Sequence, residues 1–204
     1  MRSLALVAIL SLASAASAQI VNGSFESPNL GFRSVANGQT YGGWTCSGPN
    51  DIEFVQTVVA GHLPGLEVSG YDGQYWIDLC GVGAASGLFQ MVPTIAGQAY
   101  EISFAMAGNV WGTPTTFNMN VLWNGQVAGT FSHTTGQAHG SQMNWTLRDV
   151  TVTGTGLDRL EFRALNAIAA RGPAIDDVQM RPIPAPGMLA MGGVLALAGV
   201  RRRR

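Results

Sequence analysis

Of 204 residues only 11% are charged, against about 25% in an average globular protein, and Gly, Ser, Thr, Asn and Gln dominate the polar positions. Lysine is absent, and five of the eleven basic residues, Arg2 and Arg201 to Arg204, crowd the two ends, so residues 19–182 carry twelve acids against six arginines. That balance argues against nucleic acid or an anionic membrane as the target of the central region, because both are bound through basic patches.

In chain order, Met1 and Arg2 make a short positive start, Leu4 to Leu12 an apolar run, and Ala16-Ser17-Ala18 supplies small residues of the kind a signal peptidase admits. Residues 1–18 are therefore predicted to be a signal peptide, with Gln19 the mature start and export the consequence. The apolar run is shorter than the helix of about 20 residues that spans a bilayer. The stretch from Gln19 to Pro182, about 165 residues, suits one domain around one core.

No segment of that domain repeats apolar residues at i, i+3, i+4 and i+7 over three turns, as an amphipathic helix requires. Short alternating runs predict strands instead: Ile52 to Val59, Tyr75 to Leu79, Leu88 to Val92, Tyr100 to Ala107 and Phe117 to Trp123, followed by Val127 to Ser132, Trp145 to Val152, Leu160 to Leu165 and Ala174 to Met180. Asp72-Gly73, Ala96-Gly97, Asn124-Gly125 and Gly154-Thr155-Gly156 separate them as turns. Asn124-Gly125 is the sharpest of these signals, since both residues tolerate the positive φ of a type I′ hairpin. Around nine strands without a helical crossover predict an all-β fold, two antiparallel sheets packed as a jelly-roll sandwich.

Behind the domain, residues 183–204 read as a tail in three parts: Pro184-Ala185-Pro186, an apolar run from Gly187 to Val200, and four arginines. As a helix the fourteen-residue run would reach about 21 Å, short of the roughly 30 Å hydrocarbon core, and the arginines would hold the cytoplasmic side. This layout resembles the PEP-CTERM class of bacterial sorting signals, with Pro-Ala-Pro standing where that class carries Pro-Glu-Pro. The resemblance implies a membrane enzyme that processes the tail, and a location at the cell surface or envelope, held there at least transiently.

Two cysteines follow the signal peptide, Cys46 and Cys80. An oxidising compartment makes their pairing the default, closing a loop of about 34 residues worth about 3 to 4 kcal/mol; two buried free thiols are the alternative. Zinc lacks the ligand count here, since no histidine lies near either cysteine.

A further set of residues occurs in a telling order. Asn22-Gly23-Ser24-Phe25-Glu26 opens the domain, Gly43-Trp44 follows, then Asp72-Gly73, Ile77-Asp78-Leu79, Phe89-Gln90 and Ala107-Gly108-Asn109, and Gly172-Pro173-Ala174-Ile175-Asp176-Asp177-Val178 closes it. The series resembles the choice-of-anchor C family, related to the DUF642 proteins and to the galactose-binding-like jelly rolls. The resemblance implies a polysaccharide ligand, and a structural calcium held between Glu26 near the start and Asp176 with Asp177 near the end. Carboxylate and carbonyl oxygens would suit that ion; the alternative is that these acids cap strands and face water.

Sugar rings stack on flat side chains, so exposed aromatics are the ligand clue. Trp111 sits in the loop sequence Asn109 to Pro114, where it could be a platform or a plug, and Tyr71 and Tyr75 flank the Asp72-Gly73 turn. These three are the candidate glycan contacts, whereas Trp44, Phe89, Tyr100, Phe104 and Trp145 stand at core-like strand positions. Catalytic patterns are not evident. His62, His133 and His139 lack metal-ligand spacing and read as solvated, Ser86 lacks a nucleophile elbow, and the pairs Asp72 with Asp78 and Asp51 with Glu53 have no cleft to mark them. The expectation is a non-catalytic surface module that binds polysaccharide, or else a structural, adhesive surface protein with no small ligand.

Overall fold

The computed structural model describes residues 19–57, 68–136, 143–168 and 170–184. The segment 1–18, the tail beyond Pro184, His62, His139, and Val58 and Val59 at the end of the first predicted strand lie outside the described residues.

Twelve strands make up the domain. They are β1 (Arg33–Ala36), β2 (Thr40–Tyr41), β3 (Trp44–Ser47), β4 (Asp51–Gln56), β5 (Tyr75–Asp78) and β6 (Gly87–Pro93), then β7 (Ala99–Gly108), β8 (Thr116–Trp123), β9 (Gln126–Thr134), β10 (Thr146–Thr153), β11 (Leu157–Ala164) and β12 (Pro173–Pro182). The first sheet has the order β1-β4-β5-β12-β7-β10 and the second β2-β3-β6-β11-β8-β9, every pairing antiparallel. This is the all-β jelly-roll sandwich expected from the alternating runs. Among the described residues there is no helix, hence none long and apolar enough to cross a membrane.

All nine predicted strands are present, and three short ones precede them. On β7, Tyr100, Ile102, Phe104 and Met106 enter the inner core while Glu101 and Ser103 point the other way, as a period of two demands. β8 does the same with Phe117, Met119, Val121 and Trp123, all buried. Phe104 stands edge-on to both Phe131 and Phe162, at 5.3 and 5.1 Å between ring centres, and so ties the two sheets together. The Asn124-Gly125 hairpin has φ of 51° and 79° at its two residues, in keeping with the primed turn read from the sequence.

A second, smaller cluster lies on the outer face of the first sheet, where Val55, Trp76, Ala107 and Ala174 are covered by Val68, Val110 and Met143. Trp111 and Trp145 pack against it, half-buried. The sheet is therefore capped by loops over its central part and left open toward the β10 edge.

Candidate functional site

The open part of that outer face belongs to β12, β7 and β10. Their register sets Gln179 beside Ser103 and Ser103 beside Asp149, with Arg181 beside Glu101 in the next row. Alternation turns all five outward, and together with Tyr71, Leu147, Arg148 and Asp177 they line a groove of about 340 Å³. Tyr71 is 44% exposed and forms one wall, and the exposed Leu147 adds apolar surface.

Tyr71 is braced from behind. Its ring meets Trp145 edge-on at 6.4 Å, Trp145 meets the buried Trp76 edge-on at 6.4 Å, and the Trp145 indole N–H donates to the Ser69 carbonyl at 3.0 Å. One exposed face of an otherwise immobilised ring costs little entropy to dock on. The polar groups alongside bond one another, Arg181 donating to the Gln179 amide oxygen at 2.5 Å and the Gln179 amide donating to Asp177 at 2.7 Å, while the ion pairs among the described residues, Arg159 and Arg163 with Glu161, lie on the other sheet. Such a surface offers hydroxyl-matched donors and acceptors beside an aromatic plate.

The other candidate aromatics sit elsewhere. Tyr75 is 1% exposed and shares its inward parity with Ile77, so it is a core residue and not a stacking platform. Its hydroxyl donates to Asn29 and accepts from the Gly31 N–H. Trp111 packs half-buried against the second cluster, outside the groove, with its backbone N–H bonded to Asn109 Oδ1 at 2.9 Å. Trp145, expected in the core, is the brace of the groove wall.

The acids proposed for calcium divide into two groups. Glu26 Oε1 accepts the N–H groups of Gln74 and Tyr75, both at 2.7 Å, and Asp176 Oδ2 accepts those of Tyr71 and Asp72 at 2.7 and 3.0 Å. The opening and closing segments thus converge on one loop, residues 70–75. A β-bulge between Asp176 and Gln179 then turns Asp177, at φ 46°, away from that loop, and its carboxylate accepts the Gln179 amide beside the groove. Burial pushes the Asp176 carboxyl up to about 7, although the Asp72, Asp177 and Tyr71 N–H groups oppose the shift.

A Cβ built on Gly70 would sit 2.9 Å from the Tyr75 carbonyl oxygen, 3.2 Å from Asp176 Oδ2 and 3.4 Å from the Gly73 carbonyl oxygen. Three oxygens, those of Asp176, Gly73 and Tyr75, therefore lie close together beside Gly70, with Glu26 bound to the same loop; they are of the donor type calcium takes. Among the described residues no group of three or more His, Cys, Asp or Glu is arranged to hold a metal, so carbonyls would have to complete the shell.

Cys46 and Cys80 are free, which corrects the expected pairing. Cys46 lies in the inner core and donates to the Asn50 carbonyl, whereas Cys80 follows β5 in the other sheet and donates to Gly81. Burial pushes both thiols up to about 11, which keeps them protonated. His133 is likewise buried on β9 rather than solvated, and burial together with Arg148 lowers its pKa.

Asp51, Glu53 and Asp78 share the outer face of the first sheet, and Asp51 lines an open pocket of about 450 Å³ with Ser34, Asn37, Asn50 and Val82, which neither Glu53 nor Asp78 enters. Asp51 is bound by Ser34 and by the Val82 N–H, and Asp78 is fully buried against the Asn109 amide at 2.6 Å and the Cys80 N–H at 2.9 Å. Burial, with Asp51 adjacent, pushes the half-buried Glu53 carboxyl up to about 7, and burial raises Asp78 well above the ordinary range. A raised acid stabilises the fold fully below its unfolded pKa, near 4.5 for Glu, and loses that contribution as pH climbs through about 7. Glu53→Gln is therefore expected to flatten the decline in melting temperature from pH 5 to pH 8 and, after discounting for solvent screening, to stabilise the protein by about 1 kcal/mol at pH 8. Parallel melting curves for variant and parent at both pH values would refute this.

No protein-family model matches the chain, and no curated protein matches it. Solved structures do. A family 35 carbohydrate binding module from Clostridium thermocellum is similar at 13% identity and a TM-score of 0.42, over 73% of this chain and 96% of that one. The structure of TmCBM61 in complex with beta-1,4-galactotriose is similar at 16% and 0.44, over 80% and 97%. The CBM22-1 xylan-binding domain of Paenibacillus barcinonensis Xyn10C is similar at 16% and 0.43, over 76% and 94%.

Proposed function

We propose that the chain is an exported, non-catalytic surface module that binds polysaccharide in the groove across β12, β7 and β10. The observation that carries this is Tyr71, an exposed ring held rigid by Trp145 and Trp76 above a floor of Ser103, Asp149, Gln179, Glu101 and Arg181. A flat ring beside closely spaced polar groups matches a sugar's two kinds of surface, its C–H face and its hydroxyls.

The expected result is retention of the protein on one or more immobilised polysaccharides, with Tyr71→Ala binding about tenfold more weakly, a loss of about 1.4 kcal/mol. Phe32→Ala, which removes an even more exposed aromatic that does not line the groove, should bind like the parent. A folded protein that ignores every glycan in a broad panel would overturn the proposal and favour a purely structural surface role.

Two further parts belong to it. The ordered residues from Asn22-Gly23 to Asp177-Val178 support membership of the choice-of-anchor C group, and the leader and tail sequences support export followed by processing at the membrane. A calcium ion would be held by Glu26, Asp176 and the carbonyls of Gly73 and Tyr75, with Asp177 serving the groove instead. The ion would supply positive charge that pins the chain's opening segment to its last strand; the groove's chemistry does not pass through it.

A further inference from the structure

The last placed residues leave the fold at one end of the sandwich, where Ile183 N–H donates to the Ala99 carbonyl and its own carbonyl accepts the Gln98 amide. Three turns make up that end: Thr94 to Gln98, Asn124-Gly125, and Gly154 to Gly156. They are tied into one platform, since Thr94 N–H donates to Gly156, Gly97 N–H to Gly154 and Gly154 N–H to Gln98, and Asp158 binds Thr94, Asn124 and Thr155 together. On this rigid tip Ile95 is 42%, Val127 56% and Leu157 62% exposed.

The charge distribution is as telling as the apolar one. Twelve acids lie in residues 19–182, yet the three turns with their flanking strand residues, 93–98, 124–127 and 153–157, contain no charged residue, and the adjoining Asp158 is fully buried. Of the charges that follow, Arg159 is half-buried with its guanidinium over the Phe89 ring, and Arg181 and Glu101 lie exposed side by side on the first sheet. Only Ala185 and Pro186 separate Pro184 from the apolar run that begins at Gly187. Fully extended, that link spans about 10 Å, comparable to the thickness of one headgroup layer.

We propose that this end is a membrane-docking surface: Ile95, Val127 and Leu157 seat in the interfacial layer of the lipid bilayer while the tail is inserted. The inference rests on the proposed reading of the tail. Apolar side chains on uncharged turns enter the interface without having to desolvate a carboxylate, and depths of about 5 to 10 Å are usual for such contacts. The short link keeps the tip within about 10 Å of the point where the apolar run begins.

The test uses the chain from Gln19 onward in vesicles of phosphatidylcholine, carrying an environment-sensitive fluorophore on Gln126→Cys, which is exposed and outside the Asp158 tie, or, at the opposite end, on Val82→Cys; the native cysteines are buried. Flotation reports tail insertion, and a headgroup-level lipid quencher reports docking. The expected result is co-flotation of both, loss of most of the emission at position 126 and none at position 82. Combining Ile95→Ser and Leu157→Ser should restore the emission at 126 while flotation persists. A chain that floats with 126 unquenched overturns the docking surface alone. A chain that does not float removes the tail reading, and the docking surface with it.

Discussion

Asp158→Ala is expected to cost the fold about 3 to 4 kcal/mol, the largest loss of any polar substitution in the domain. Asp158 is fully buried, and its carboxylate accepts four hydrogen bonds: from the Thr155 N–H at 2.9 Å, from Thr155 Oγ1 and Asn124 Nδ2 at 2.6 Å each, and from the Thr94 hydroxyl. Alanine would take the shared acceptor from the half-buried Thr94 and the exposed Asn124 and Thr155, and three turns would lose their common tie. Burial alone would raise the Asp158 carboxyl, but the Thr155, Thr94 and Asn124 donors outweigh it and hold it at about 2. Its contribution is thus present above the unfolded pKa near 4 and fades only as pH falls through about 2. For a domain of this size the loss corresponds to a melting temperature lower by about 6 to 15 °C. A drop within about 2 °C would show that the turns hold themselves.

Asp176→Ala should have the next largest effect, about 3 kcal/mol, and a consequence that reaches the groove. It withdraws the acceptor of the Tyr71, Asp72 and Asp177 N–H groups, so the 70–75 loop loses its anchor and Tyr71 its fixed position. Glycan retention should fall together with stability, unlike in Tyr71→Ala, where only binding falls. The same variant tests calcium. If the ion binds the folded form alone, a hundredfold excess over its dissociation constant adds about 2.7 kcal/mol. Millimolar calcium should therefore raise the parent's melting temperature and a chelator reverse the rise, with no response in Asp176→Ala and a reduced one in Glu26→Gln. A parent indifferent to both would dispose of the calcium site while leaving the loop's hydrogen-bonded role intact.

Alternation made the sandwich legible from sequence, because long strands with one buried face write their period into the chain. β1, β2 and β3 are four, two and four residues long and carry one, none and three buried positions; segments that short contain no period to read. Tyr75 was legible too, since it has the parity of Ile77, but its place beside a turn pointed outward. Glu101, Ser103, Asp149, Gln179 and Arg181 give no sequence signal as a group. Each is only an outward residue on its own strand, and their meeting depends on β12 lying between β5 and β7, a pairing across some seventy residues of chain. Trp145 misled for a related reason: it is buried on one side as core residues are, and what it supports on the other side is set by Tyr71, distant in the chain. The acids proposed for calcium stand out only through the resemblance in order, and the division between Asp176 and Asp177 arises from a bulge that no composition predicts.

β12 is the last strand to be made and the middle of the first sheet, flanked by β5 on one side and β7 on the other. A chain emerging N-terminus first, whether from a ribosome or a translocation pore, has both halves of that sheet in hand long before the strand that joins them. Val178 must also arrive before Gly23 acquires its backbone partner. Such non-local closure makes assembly wait on the final residues. The domain therefore locks only once β12 is available, so on the proposed export route the chain would stay threadable until β12 had crossed.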